Sequence, residues 1–119
     1  MSKLHTQKCE PCSGDEPALA QYEIEAFLEQ VPEWELDQPK KVPKITRRFS
    51  FDDFAQALSF TNRVGEIAEQ QGHHPRITTE WGKVKVTWWT HKIGGLHAND
   101  FIMASKTNKM YQDFFGEAL

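Results

Sequence analysis

A chain of 119 residues, 39% hydrophobic and 12% aromatic, is long enough for one packed core and too rich in Phe and Trp for wholesale disorder. Its net charge of −3, with the basic residues scattered, argues against a nucleic-acid-binding surface. No apolar run approaches a membrane span and no charged-then-apolar signal opens the chain, so the sequence reads as cytoplasmic.

Residues 1–14 read as a flexible N-terminal arm, and 15–119 as a single domain. The arm holds Cys9-Glu10-Pro11-Cys12 with His5 upstream. A thioredoxin-like pair belongs between a strand and a helix, and a structural zinc site wants four ligands where this arm offers His5, Cys9 and Cys12. Reduced thiols on a mobile terminus are the expectation.

Asp15-Glu16-Pro17 marks a helix start, and Ile24, Phe27, Leu28 and Val31 recur at helical spacing until Pro32. Trp34-Glu35-Leu36-Asp37 alternates as a short strand, Gln38 to Lys41 reads as a turn, and Val42 to Phe49 supplies a second strand. Ser50-Phe51-Asp52-Asp53 has the spacing of a capping box. Phe51, Phe54, Leu58, Thr61, Val64, Ile67 and Ala68 then form one apolar stripe, with Gly72 placed for a left-handed cap.

Two further alternating runs, Ile77/Thr79/Trp81 and Val84/Val86/Trp88, flank Gly82 as a second hairpin. After Ile93-Gly94-Gly95, Leu96 to about Phe115 reads as a closing helix with His97 at its N-cap. The order α-β-β-α-β-β-α predicts an α+β fold: a four-stranded antiparallel sheet with helices packed on one face.

Between Glu69 and Asp100 the chain concentrates proton-transfer chemistry. Glu69, three residues, His73-His74-Pro75, five residues, Trp81, nine residues, His91, eight residues and Asp100 form one spaced series. Imidazoles move protons near neutral pH, and a carboxylate at a helix start is suited to orienting one of them. Each of these residues alone is more often structural than functional; their joint spacing is the signal. Trp34, Trp88 and Trp89 read as structural, although Trp88 or Trp89 would also serve as a flat wall for a planar ring.

This spacing resembles the signature of the pterin-4a-carbinolamine dehydratases, and Pro32-Glu33-Trp34, Arg48 to Phe54, Gly94-Gly95-Leu96 and Asn99-Asp100-Phe101 extend the resemblance over most of the chain. It implies dehydration of 4a-hydroxytetrahydrobiopterin to the quinonoid dihydropterin, recycling the cofactor of aromatic amino acid hydroxylases. His73, His74 and His91 would be catalytic, Asp100 and Glu69 supporting, Trp81 and Pro75 substrate-binding. The resemblance also implies the same α+β architecture, a pterin substrate, a homo-oligomer (dimer or tetramer), a hydroxylase as pathway partner, and no cofactor or metal.

Two rivals stand beside it. A metal-dependent hydrolase would need ligands at i, i+4 on a helix, which adjacent histidines do not give. A protein-binding module or transcriptional co-regulator, a role some members of the resembled family also have, would use an exposed apolar helix face and survive loss of the histidines.

Overall fold

The computed structural model describes residues 4–9, 17–37 and 42–115. Within them lie α1 (Gln21–Leu28), β1 (Glu35–Asp37), β2 (Lys44–Ser50), α2 (Phe54–Gln71), β3 (Arg76–Glu80), β4 (Lys83–Trp88) and α3 (Ala98–Phe115). The strands form an antiparallel sheet in the order β1-β2-β4-β3. This is the expected α+β arrangement.

Alternation along the strands decides which face is covered. Ile45 and Phe49 of β2 and Val84, Val86 and Trp88 of β4 are all buried on the helix side. Phe49 sits at the centre of that layer, its ring 4.7 Å from Phe60, 4.9 Å from Tyr111 and 6.0 Å from Trp34. Two polar tips are satisfied at the edge of this core. Trp34 Nε1 donates to Asn108 Oδ1 at 2.8 Å, and the Tyr111 hydroxyl donates to the Ser50 carbonyl at 2.9 Å.

Helix α3 is the hub. Its residues Asn99 to Ser105 are buried without a break, because the sheet, α1, α2 and the N-terminal segment surround it. The segment expected to be a flexible arm is docked where it is described: Leu4 is buried in the core, Lys106 Nζ donates to the His5 carbonyl, and the Cys9 amide donates to Gln71 Oε1. Leu4 accounts for this, being an apolar side chain among polar neighbours. Cys12 and the turn expected over Gln38 to Lys41 lie outside the described residues.

Two boundaries differ from expectation. Helix α1 begins at Gln21 and not near Pro17, because the Leu19 amide is committed to the Leu96 carbonyl and the Glu23 carboxylate accepts from the Ala20 amide. The cap of α2 is three residues later than the Ser50 box: Ser50 ends β2, Asp53 accepts from the Gln56 amide, and Gln56 Oε1 accepts from the Asp52 amide. Within α2, Ala57, Phe60, Val64 and Ala68 face the core while Phe54 and Leu58, expected in the apolar stripe, are exposed.

Two glycines give opposite expectations for alanine. A Cβ on Gly95 would stand 2.8 Å from the Ala18 Cβ, whereas one on Gly65, within α2, meets nothing within 4 Å. Gly95→Ala is expected to lower unfolding free energy by about 1–3 kcal/mol through overpacking. Gly65→Ala should raise it by about 0.5–1 kcal/mol through helix propensity. Urea titrations of the two variants check both signs.

Burial pushes the Cys9 thiol up to about 11, with Asp100 adding to the rise and Lys106 opposing it. A folded-state value above the unfolded one favours the fold fully below the unfolded value, near 9, and that contribution is lost as pH rises toward 11. In a Cys12→Ser background, alkylation of Cys9 at pH 8 should be about 100-fold slower in the native than in the denatured chain, following its thiolate fraction. Equal rates would show that the segment is not docked.

Candidate active site

Gly72 turns the chain at the end of α2. It adopts the left-handed conformation at φ 66°, with the His73 amide bonded to the Ala68 carbonyl and the Gly72 amide to Glu69, the double closure of a Schellman cap. From His73 onward exposure alternates residue by residue into β3, so His73 and Ile77 turn inward while His74 and Arg76 turn outward. Adjacent histidines therefore have opposite fates.

His73 meets Asp100. Its Nε2 donates to Asp100 Oδ1 at 2.6 Å, and its ring lies parallel to Trp88 with centroids 5.7 Å apart. Asp100 is fully buried and its second oxygen accepts from the Thr90 hydroxyl at 2.8 Å and the His97 amide at 2.9 Å. His97 caps α3, its Nδ1 accepting from the Asn99 amide at 3.0 Å. Together they make a capping box in which an imidazole replaces the usual hydroxyl and Asp100 serves both the helix and His73. With Nε2 committed to the carboxylate, a neutral His73 presents Nδ1 as its lone pair.

His74 is exposed and pairs with Glu69, Nε2 to Oε2 at 2.5 Å, across the Gly72 turn. His91 follows β4 and is exposed, its ring 4.4 Å from Trp89. A bridge between Thr90 and Gly95, their backbones bonded in both directions, closes the loop that carries His91. Pro75 joins His74 to β3 and is half-buried.

Trp81 stands elsewhere. It occupies the β3–β4 turn beside Gly82 (φ 78°) and is 70% exposed. The ladder runs from Arg76 opposite Thr87 to Glu80 opposite Lys83, so the turn is about 13 Å along the strands from the histidine end, at about 3.3 Å per residue. Within one chain Trp81 does not wall the histidines; Trp88 and Trp89 do. Thr90 is the contact sequence reasoning missed, since a strand-end threonine carries no signal of a carboxylate partner. Among the described residues no three His, Cys, Asp or Glu side chains are grouped to hold a metal ion.

Asp100→Asn would place an amide N–H₂ among donors, and each buried donor left without its acceptor costs about 1–3 kcal/mol. A loss of that order is expected in denaturant titration, against a change within about 0.5 kcal/mol for exposed His74→Ala. Equal stabilities would mean that Asp100 does not organise this end of the molecule.

A family model described as pterin 4 alpha carbinolamine dehydratase matches residues 17–110. Relatives carrying the pterin-4-alpha-carbinolamine dehydratase name include one from Saccharophagus degradans, 49% identical over 94% of this chain and 99% of its own, and one from Chlorobaculum tepidum, 51% identical over 92% and 99%. The crystal structure of a transcriptional coactivator/pterin dehydratase from Brucella melitensis is 31% identical, with a TM-score of 0.72 covering 78% of this chain and 97% of that one. A pterin dehydratase-like RuBisCO assembly factor of the alpha-carboxysome, 22% identical with a TM-score of 0.56 over 66% and 88%, shares the fold. The family match over residues 17–110, with relatives near half-identical across almost all of their length, means that this chain belongs to the pterin 4 alpha carbinolamine dehydratase family.

Proposed function

We propose that this protein dehydrates a pterin-4a-carbinolamine, 4a-hydroxytetrahydrobiopterin or a relative of it, to the quinonoid dihydropterin, with histidines as acid and base. The observation that carries the reading is the division of labour around the Gly72 turn: one imidazole is anchored on a buried carboxylate, and two are left accessible beside polarising or aromatic partners.

The chemistry needs two proton movements. The C4a–O bond breaks as an acid protonates the departing hydroxyl, a base takes the proton from N5, and a C4a–N5 double bond remains with one water released. His74, its Nε2–H directed to Glu69, offers Nδ1 as the base, since the carboxylate supports the charge the ring acquires. His91 is the complementary acid, and Trp89 gives a planar surface beside it. His73 is oriented by Asp100, itself held by the Thr90 hydroxyl, which commits the His73 Nε2 and leaves Nδ1 for substrate. None of these steps requires a metal or redox cofactor. Recycling the pterin of an aromatic amino acid hydroxylase is the matching physiological role.

Exposed Phe54 and Leu58 on α2, with Phe114 on α3, favour a second reading. An apolar face of this kind suits a homo-oligomer (dimer or tetramer) or a protein partner, and the Brucella relative is described as a coactivator as well as a dehydratase.

His74→Ala and His91→Ala should each lower turnover by about 100-fold or more in an assay that generates carbinolamine with a hydroxylase and follows quinonoid dihydropterin. The double variant should lose less than the product of the single losses, because the two act as one unit. Near-normal turnover in both folded single variants would leave the binding-module reading ahead.

A further inference from the structure

Among the described residues, the strand positions on the sheet face away from the helices are polar, and Trp89 follows them on that face. Its indole is flanked by two cations: Lys44 Nζ lies 4.9 Å and the Arg76 guanidinium 5.1 Å from the ring centroid. Register explains the convergence. Ile45 pairs with Trp88 and Arg76 with Thr87, so Lys44 and Arg76 reach the indole from the strands on either side of β4. Both cations stand near 5 Å from one ring, hence within about 10 Å of each other.

Cation–π contact alone accounts poorly for the pair, because like charges are gathered in a chain whose net charge is −3. The carboxylates of this face do not relieve them. Asp37 is opposite Lys44 in the ladder, Glu35 opposite Thr46 and Glu80 opposite Lys83, yet among the described residues neither Lys44 nor Arg76 forms an ion pair. Farther along, Arg48 faces Lys85, extending the positive column. His91 borders the same indole and His74 precedes Arg76 on the same outward alternation, so this charge lies at the edge of the proposed catalytic site.

We infer that Lys44 and Arg76, held on Trp89, form an anion-accepting subsite that selects pterins whose side chain carries a phosphate or carboxylate over pterins with a neutral side chain. The inference rests on the dehydratase reading for the pterin ring and adds the class of side chain. The ring would lie toward His74 and His91 while the anionic group meets the two cations, a charge-assisted contact a neutral hydroxyalkyl chain cannot match.

Binding of stable 7,8-dihydropterins by calorimetry, backed by indole fluorescence quenching, tests this without relying on turnover. Three probes are compared at low salt: one with a hydroxyalkyl side chain, the same compound as its phosphomonoester, and one with a carboxylate side chain. The anionic probes should bind about tenfold or more tightly than the neutral one, and added salt should narrow the gap. In Lys44→Gln/Arg76→Gln the preference should vanish while affinity for the neutral probe holds; the single Lys44→Gln variant should show a partial loss. Equal affinity for all three probes overturns the inference, as does a preference that survives in the folded double variant or one matched by inorganic phosphate alone. A dehydratase assay on the neutral substrate runs separately, so failure of the catalytic reading is distinguishable from failure of the subsite.

Discussion

One buried carboxylate organises the histidine-bearing end of the molecule. Asp100 reaches no solvent and accepts from His73, Thr90 and the His97 amide, which come from the turn after α2, the end of β4 and the start of α3. A carboxylate in such a place is tolerated because every donor is supplied, and the alternative of leaving it bare costs several kcal/mol. Three chain segments are thereby fixed to one point. The same group completes the α3 cap, so the helix that forms the hub of the core and the His73 imidazole share a single anchor.

That anchor sorts the histidines. Exposure alternates from His73 into β3, and the alternation sends one of two adjacent imidazoles inward to Asp100 and Trp88 and the other outward to Glu69. Their neighbours differ accordingly: a dry parallel stack for His73, an open carboxylate partner for His74. Two residues of the same type, side by side, thus acquire a buried, anchored environment and an exposed one from the period of an extended chain alone.

Much of this was legible in the sequence because it is local. Gly72 as a left-handed cap, the alternation of Val84, Val86 and Trp88, and His97 as an N-cap follow from short-range rules, and all three appear in the structure. The errors arose where a long-range bond decided a local choice. The Leu19–Leu96 backbone bond delays α1, and the extension of β2 through Ser50 moves the α2 cap to Asp53, while packing against the sheet and α3 leaves Phe54 and Leu58 outside the core. Trp81 fits the alternating pattern of its strand, but the two-residue turn at Gly82 claims it first. Likewise Thr90 and the cations around Trp89 depend on which strands are neighbours, and the order β1-β2-β4-β3 cannot be read from spacing.

The order of the strands also explains why the site is two-sided. Placing β4 between β2 and β3 gives it a buried face, where Trp88 supports His73, and an open face, where Trp89 borders His91. Consecutive tryptophans at one strand end therefore serve opposite layers, one stiffening the anchored imidazole and the other presenting an aromatic plane to solvent. Had β4 been an edge strand, Lys44 and Arg76 would not both reach that plane, since each comes from a different flanking strand. The chemistry available at this end thus follows from one topological fact, the central position of β4, and one electrostatic fact, the satisfied charge of Asp100.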